Sequence, residues 1–312
     1  MRNYADVVRS LAGIGGQQLS ESEIRKALKD CLTTVGVLAH TLHPTYTVIR
    51  VRRNKVGQHF TTTADLSYRP VDVEGPMQRA NTKQTTLFYA SCCERRVLHP
   101  EMRTFTDEDD GLKVALFETL DELRDNCLHG YGRLDPSSPW PAFRVRTTNE
   151  GKDILVSYGV WESLNDVRLA SMSPYTVHDE DWPTAHLKPH VLGSYVLADP
   201  FERVNEDVFW DYLSREFSNL GRLGSETPTY PVSAIAAEVT CDMGFDGISY
   251  PSTRCDGRGV NVAIRPNVVD ATLRCIKVGL IRVSAEAGEL LITHEKTVEL
   301  APGVSSFDLT SV

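Results

Sequence analysis

The chain has 312 residues, 41% of them hydrophobic and 24% charged, and a formal net charge of −9. That length buries a substantial core as one large domain or two smaller ones, and the composition is ordinary for a folded protein. The acidic balance argues against a general nucleic-acid binder, so an anionic ligand needs a local basic cluster; Arg50, Arg52, Arg53, Lys55, Arg69 and Arg79 supply one in sequence.

In chain order, Ser20 to Val35 predicts an amphipathic helix. Ser20 and Glu23 match a capping box, and Ile24, Ala27, Leu28, Cys31, Leu32 and Val35 form one apolar face. Pro44 separates it from Tyr46 to Val51, an alternating strand. Gly57 to Pro76 reads as a polar loop, and Thr85 to Ser91 as a strand rich in Thr, Leu, Phe and Tyr. The acidic run Asp107 to Asp110 reads as a solvated turn. Leu112 to Cys127 is a helix by the recurrence of Leu112, Leu116, Leu120 and Leu123. Residues 130–200, rich in proline and aromatics, read as an insertion with short strands. Another helix starts near Asn205, with Phe209, Leu213, Phe217 and Leu220 on its apolar side.

Ser233 to Met243 is helical by the spacing of Ile235, Ala236, Val239 and Met243, and Gly244 stops it by taking positive φ cheaply. Phe245, Ile248 and Tyr250 suit a short strand that Pro251 ends, placing Ser252 just beyond it. Read locally, Ser252 is a turn serine bonded to its own backbone. Val260 to Ile264, Ala271 to Val283 and Glu289 to Leu300 complete the β-structure. The division is a helical extension over 1–43, a main domain over 44–280 holding the insertion, and a β-rich extension over 281–312.

Seven cysteines at irregular spacing, in a chain too long to need stapling, predict reduced thiols. The N-terminus has no signal-peptide pattern and no apolar run reaches membrane-spanning length, so a cytoplasmic location with no membrane contact is the expectation. The phosphate loop, the nucleophile elbow, His-Glu-x-x-His and Cys-x-x-Cys are missing. Cys92 and Cys93 near His99 lack tetrahedral zinc spacing, so no metal is expected.

Four blocks in order carry a resemblance. They are Tyr46-Thr47-Val48-Ile49-Arg50-Val51-Arg52; then Gln78-Arg79-Ala80-Asn81 with Leu87-Phe88-Tyr89-Ala90-Ser91; then Ala115-Leu116-Phe117-Glu118-Thr119-Leu120; then Gly244-Phe245-Asp246-Gly247-Ile248-Ser249-Tyr250-Pro251-Ser252 with Asn261. Together they resemble the RES-domain family, named for its arginine, glutamate and serine, over residues 44 to 280. The resemblance implies an α+β fold: a split mixed sheet like that of ADP-ribosyltransferases, with flanking helices and here an N-terminal helical extension. It implies a toxin of a bacterial toxin–antitoxin pair that destroys NAD by cleaving the nicotinamide–ribose bond with water or phosphate. NAD is then substrate and no cofactor is expected. The implied partners are a DNA-binding antitoxin and a second copy of the chain, with no direct nucleic-acid contact.

The implied catalytic residues are Glu118, Arg50 and Ser252. Arg52, Arg79, Asn81, Tyr89 and Asn261 are implied to bind substrate, with Arg52 the alternative to Arg50 because the strand register is open. These types suit the reaction. Guanidinium forks match phosphate oxygens. A carboxylate stabilises the oxocarbenium-like charge that builds on the ribose. Nicotinamide leaves as a neutral ring, so one carboxylate suffices. Ser252 has no histidine base nearby in sequence and reads as a hydrogen-bonding group, not a nucleophile. Read by periodicity, Glu118 shares a face with Asp121, Glu122 and Asp125 and joins a solvated acidic stripe; Arg50 and Arg52 are exposed strand residues, Arg79 a loop residue, and Tyr89 core. The competing functions are an ADP-ribosyltransferase with a protein or nucleotide acceptor, and a non-enzymatic NAD-binding module.

Overall fold

Most of the apolar alternation and helical periodicity is used to cover the two sides of one mixed sheet. The computed structural model describes residues 4–13, 19–70, 77–83, 85–92, 107–120, 143–144, 153–172, 200–218, 231–252, 260–286 and 289–310. Its helices are α1 (Tyr4–Leu11), α2 (Glu21–Val35), α3 (Asp107–Thr119), α4 (Pro200–Ser218), α5 (Pro231–Asp242) and α6 (Pro266–Thr272). Its strands are β1 (Ala39–Leu42), β2 (Thr47–Arg53), β3 (Phe88–Cys92), β4 (Phe143–Arg144), β5 (Ile154–Ser163), β6 (Val167–Ser171), β7 (Gly247–Pro251), β8 (Val260–Ile264), β9 (Leu273–Glu286) and β10 (Glu289–Glu299). They form one ten-stranded sheet in the order β1-β6-β7-β8-β3-β2-β5-β9-β10-β4. β6 and β7 run parallel, and the other pairs described are antiparallel.

Three apolar clusters cover this sheet. α1, α2, α4 and α5 pack with Ile248, Tyr250 and Ala263 at the β7–β8 end. On the same face, Leu112, Ala115 and Leu116 of α3 pack on Ile49, Val51, Val156, Tyr158 and Val160. The reverse face buries Val48, Phe88, Trp161, Val262, Ile264 and Leu280 under Phe60, Leu66 and Leu309. Side chains alternate between faces along a strand, so these lists fix which residues point where.

β2 and β3 meet through only two described register pairs, Val48 with Cys92 and Ile49 with Ser91. Beyond them β2 continues on β5 and β3 on β8. This short seam lies at the middle of the sheet, between the two covered ends.

Several sequence expectations shift. α3 begins at Asp107, so the acidic run is the helix's first turn and not a solvated loop; carboxylates at that end favour the helix dipole. The stretch from Asp121 to Cys127 lies outside the described residues. α4 begins at Pro200, before Asn205. The loop after Gly57 contains a 3-10 turn, Thr63–Leu66, capped by Thr62 and Asp65, and it buries Phe60 and Leu66. Residues 154–171, read as part of an insertion, supply β5 and β6; β5 lies between β2 and β9, inside the sheet. The stretch after residue 280 likewise continues β9 and adds β10 to the same sheet. Among the described residues no helix is long and apolar enough to cross a membrane.

Candidate functional site

The register of four strands lines up one row of side chains. Ile49 pairs with Ser91, Ser91 with Asn261, and Asn261 with Tyr250, all on the face covered by α3 at one end and by α4 and α5 at the other. Asn261 is buried, and its amide is oriented from both sides: its Oδ1 accepts from Ser91 Oγ at 2.9 Å, which turns its Nδ2 towards Glu118 Oε1 at 2.9 Å. Ser252, 0% exposed just past the end of β7, donates its Oγ proton to the same Glu118 oxygen at 2.7 Å. The expected catalytic glutamate and serine are therefore in direct contact, with Asn261 as the third member. Glu118 is half-buried, in the last turn of α3, and accepts from these two donors; Asp121, Glu122 and Asp125 of the expected acidic stripe lie outside the described residues.

Two residues before Ser91, Tyr89 projects from the same face. Its hydroxyl donates to Asn81 Oδ1 at 2.6 Å and accepts from the Ala80 N–H at 3.0 Å. Burial pushes the Tyr89 hydroxyl pKa up, while the Ala80 bond and the cations Arg79, Arg50 and Arg69 pull it back, so the phenol is a neutral group among guanidiniums. Asn81, 1% exposed, spends its amide protons on the carbonyls of Thr82 and Thr85, each at 3.0 Å. Gln78 and Asn81 close the turn through paired backbone bonds. Asn81 and the Tyr89 hydroxyl thus build the turn that carries Arg79, with their polar atoms bonded within it. The Arg79 guanidinium lies 6.0 Å from the Tyr250 ring centroid, which places it beside the Ser91–Asn261–Tyr250 row.

Arg50 and Arg52 leave β2 on the side opposite Ile49 and Val51, and the structure separates them. Arg50 Nη1 donates to the Tyr89 backbone carbonyl at 2.6 Å, reaching across the seam where β2 and β3 stop pairing. Arg52 Nη1 donates to the Asp65 carbonyl at 2.5 Å and lies over the Phe60 ring, away from Tyr89. Burial, with Arg52 nearby, lowers the Arg50 pKa to about 10, well below the ordinary arginine range. Among the described residues neither Arg50 nor Arg69 has an acidic partner, and each has a buried Nε without a hydrogen-bond partner. Both guanidiniums act on the Tyr89 hydroxyl.

Sequence reasoning left three contributors out of the site. Ser91 and Tyr250 were quoted in the motif blocks without a role, and the strand register is what gives them one. Arg69 was placed in the basic run but not in the site; its orphaned Nε is visible only in three dimensions. Among the described residues no group of three His, Cys, Asp or Glu side chains is placed to hold a metal ion. A separate cavity of about 690 Å³ lies between α2, residues 77–87 and α5, bordered by Arg25, Thr82, Thr85 and Glu238, and none of the eight expected site residues lines it. No protein-family model matches the chain, and no curated protein matches it.

Proposed function

We propose that the chain cleaves the nicotinamide–ribose bond of NAD, on a split-sheet fold like that of ADP-ribosyltransferases and in the manner of the RES-domain toxins it resembles. The observation that carries this reading is the Glu118 carboxylate held by Ser252 and Asn261 on the sheet face that also bears Tyr89, whose hydroxyl feels Arg79, Arg50 and Arg69. Arg50, Arg69 and Arg79 supply charge for the pyrophosphate. The Tyr89 ring offers flat apolar surface to a heteroaromatic ring.

Glu118 provides the negative charge that the oxocarbenium-like ribose needs, and Ser252 and Asn261 hold that carboxylate at one angle, so little reorganisation is required as charge develops. The C1′–N bond breaks with its electron pair leaving on the nicotinamide nitrogen, so the positively charged ring becomes neutral and needs no acid. An oxygen of water or phosphate bonds to C1′. When water attacks, its proton passes to Glu118 and then to solvent. A DNA-binding antitoxin that blocks the cleft and a second copy of the chain are the partners this reading carries.

The test is NAD concentration over time with purified protein, with and without phosphate, by mass spectrometry. NAD loss with free nicotinamide is expected, and the ribosyl product names the nucleophile. Glu118→Gln retains a carbonyl for the Ser252 and Asn261 donors, and with its fold checked by circular dichroism it should slow NAD loss about a hundredfold or more. A constant NAD level with folded wild-type protein overturns the reading in favour of a binding module. Label appearing on an added protein or nucleotide assigns a transferase instead.

A further inference from the structure

A second polar network reaches the Arg79 turn from the opposite side. Glu238, on α5, has only 15% of its side chain exposed, and its partners account for both carboxylate oxygens. Oε1 accepts from the hydroxyls of Thr82 and Thr85, the latter at 3.2 Å. Oε2 is paired with Arg25 of α2, whose Nη1 lies 3.8 Å from Asp242. Thr85 Oγ1 also accepts from the Thr82 N–H at 3.0 Å, and Asn81 then bonds the carbonyls of both threonines. An unbroken chain of contacts runs Arg25, Glu238, Thr82 and Thr85, Asn81, Tyr89.

The turn over 78–82 is closed by the Gln78–Asn81 backbone pair, and side chains fix its place between the sheet and the helices. It has an anchor on the sheet, the Tyr89 hydroxyl, and an anchor on the helices, the Glu238 carboxylate. The cavity of about 690 Å³ borders the second anchor, so the turn has room to move if that anchor is cut. A carboxylate this shielded is stabilised only with its partners in place, and removing one end leaves the others unpaired.

We infer that Glu238 is a positioning residue for the Arg79 turn, and that Arg25 makes helix α2 part of the support of the site. The kinetic half of this inference rests on the NAD-cleaving reading; the structural half does not. Glu238 touches no reacting atom. It acts by fixing where Arg79 presents its charge, and displacing that group weakens its hold on the substrate's phosphates equally before and during reaction.

The test compares wild type, Glu238→Ala, Glu238→Gln and the double variant Thr82→Val/Thr85→Val. Amide hydrogen exchange is followed in residues 78–89, with β5 and β9 as the internal record of global folding. Glu238→Ala and the threonine pair should lose protection in 78–89 while β5 and β9 keep theirs, and Glu238→Gln, which retains an acceptor for the threonines, should recover part of it. KM for NAD should rise about tenfold with kcat changed less than about twofold, the pattern of lost binding rather than lost chemistry. Unchanged protection at 78–89 overturns the inference. A fall in kcat with KM fixed also overturns it. If Glu238→Ala does not fold, the threonine pair alone decides by the same criteria. If wild type consumes no NAD but the protection is lost as expected, the anchor stands and only the reading of the reaction fails.

Discussion

Arg50 carries a charge that the surrounding sheet compensates poorly: a carbonyl at 2.6 Å, an orphaned Nε and a second arginine two residues on. Its folded pKa, about 10, lies below that of an ordinary arginine, so between the two the unfolded chain holds the proton more tightly and stability rises with pH. Below about 10 both states are protonated and the cost is constant, so neutral-pH stability carries the penalty in full. Replacing the cation with an apolar side chain of similar length removes that cost. Arg50→Met should therefore leave the denaturant midpoint unchanged or higher while slowing NAD loss at least about tenfold, since a charge contact to phosphate is gone; a lower midpoint with unaltered turnover would sink this account. The sequence preferred Arg50 and kept Arg52 as the alternative, because a period of two puts both on one side of β2. What separates them is the end of β2–β3 pairing, which exposes the Tyr89 carbonyl to Arg50. Glu118 was equally illegible locally, since its donors Ser252 and Asn261 lie 134 and 143 residues further along the chain.

At the scale of elements, legibility followed the range of the cause. The α2 start was readable because Ser20 and Glu23 cap each other three residues apart, and both reciprocal bonds are present. Gly244 stops α5 with a φ of 96°, again a local effect. The role of β5 was not readable: its central place depends on β2 and β9, and prolines and aromatics around it masked a strand of ten residues. β7 shows a constraint of a third kind. A Cβ on Gly247 would lie 2.2 Å from the Ala263 carbonyl oxygen and 2.9 Å from the Ile264 Cα, both backbone atoms of β8 that cannot swing aside. Gly247→Ala should cost roughly 1–3 kcal/mol in chemical unfolding and shift β7, reducing NAD turnover through Ser252 at its far end. Full stability in this variant would show that β8 yields without cost.

Across the whole molecule, the α+β class was legible and the strand order was not. β3 pairs with β8, β5 with β9 and β1 with β6, in each case partners separated by more than a hundred residues. Non-local pairing of this kind has to close long loops before contacts stabilise them. Refolding from denaturant, followed by the fluorescence of buried Trp161 and Trp210, should take seconds or longer; completion within a millisecond would be incompatible with this topology. The carboxylate of Glu118 has a related consequence for synthesis. Translation delivers Arg50, Arg79, Tyr89 and Glu118 first, and the groups that steady the glutamate come from the last third of the chain. Until residue 261 has left the ribosome, the nascent polypeptide holds the parts of this arrangement without the arrangement, and a chain cut short before residue 252 lacks both the Ser252 and the Asn261 donor to its glutamate.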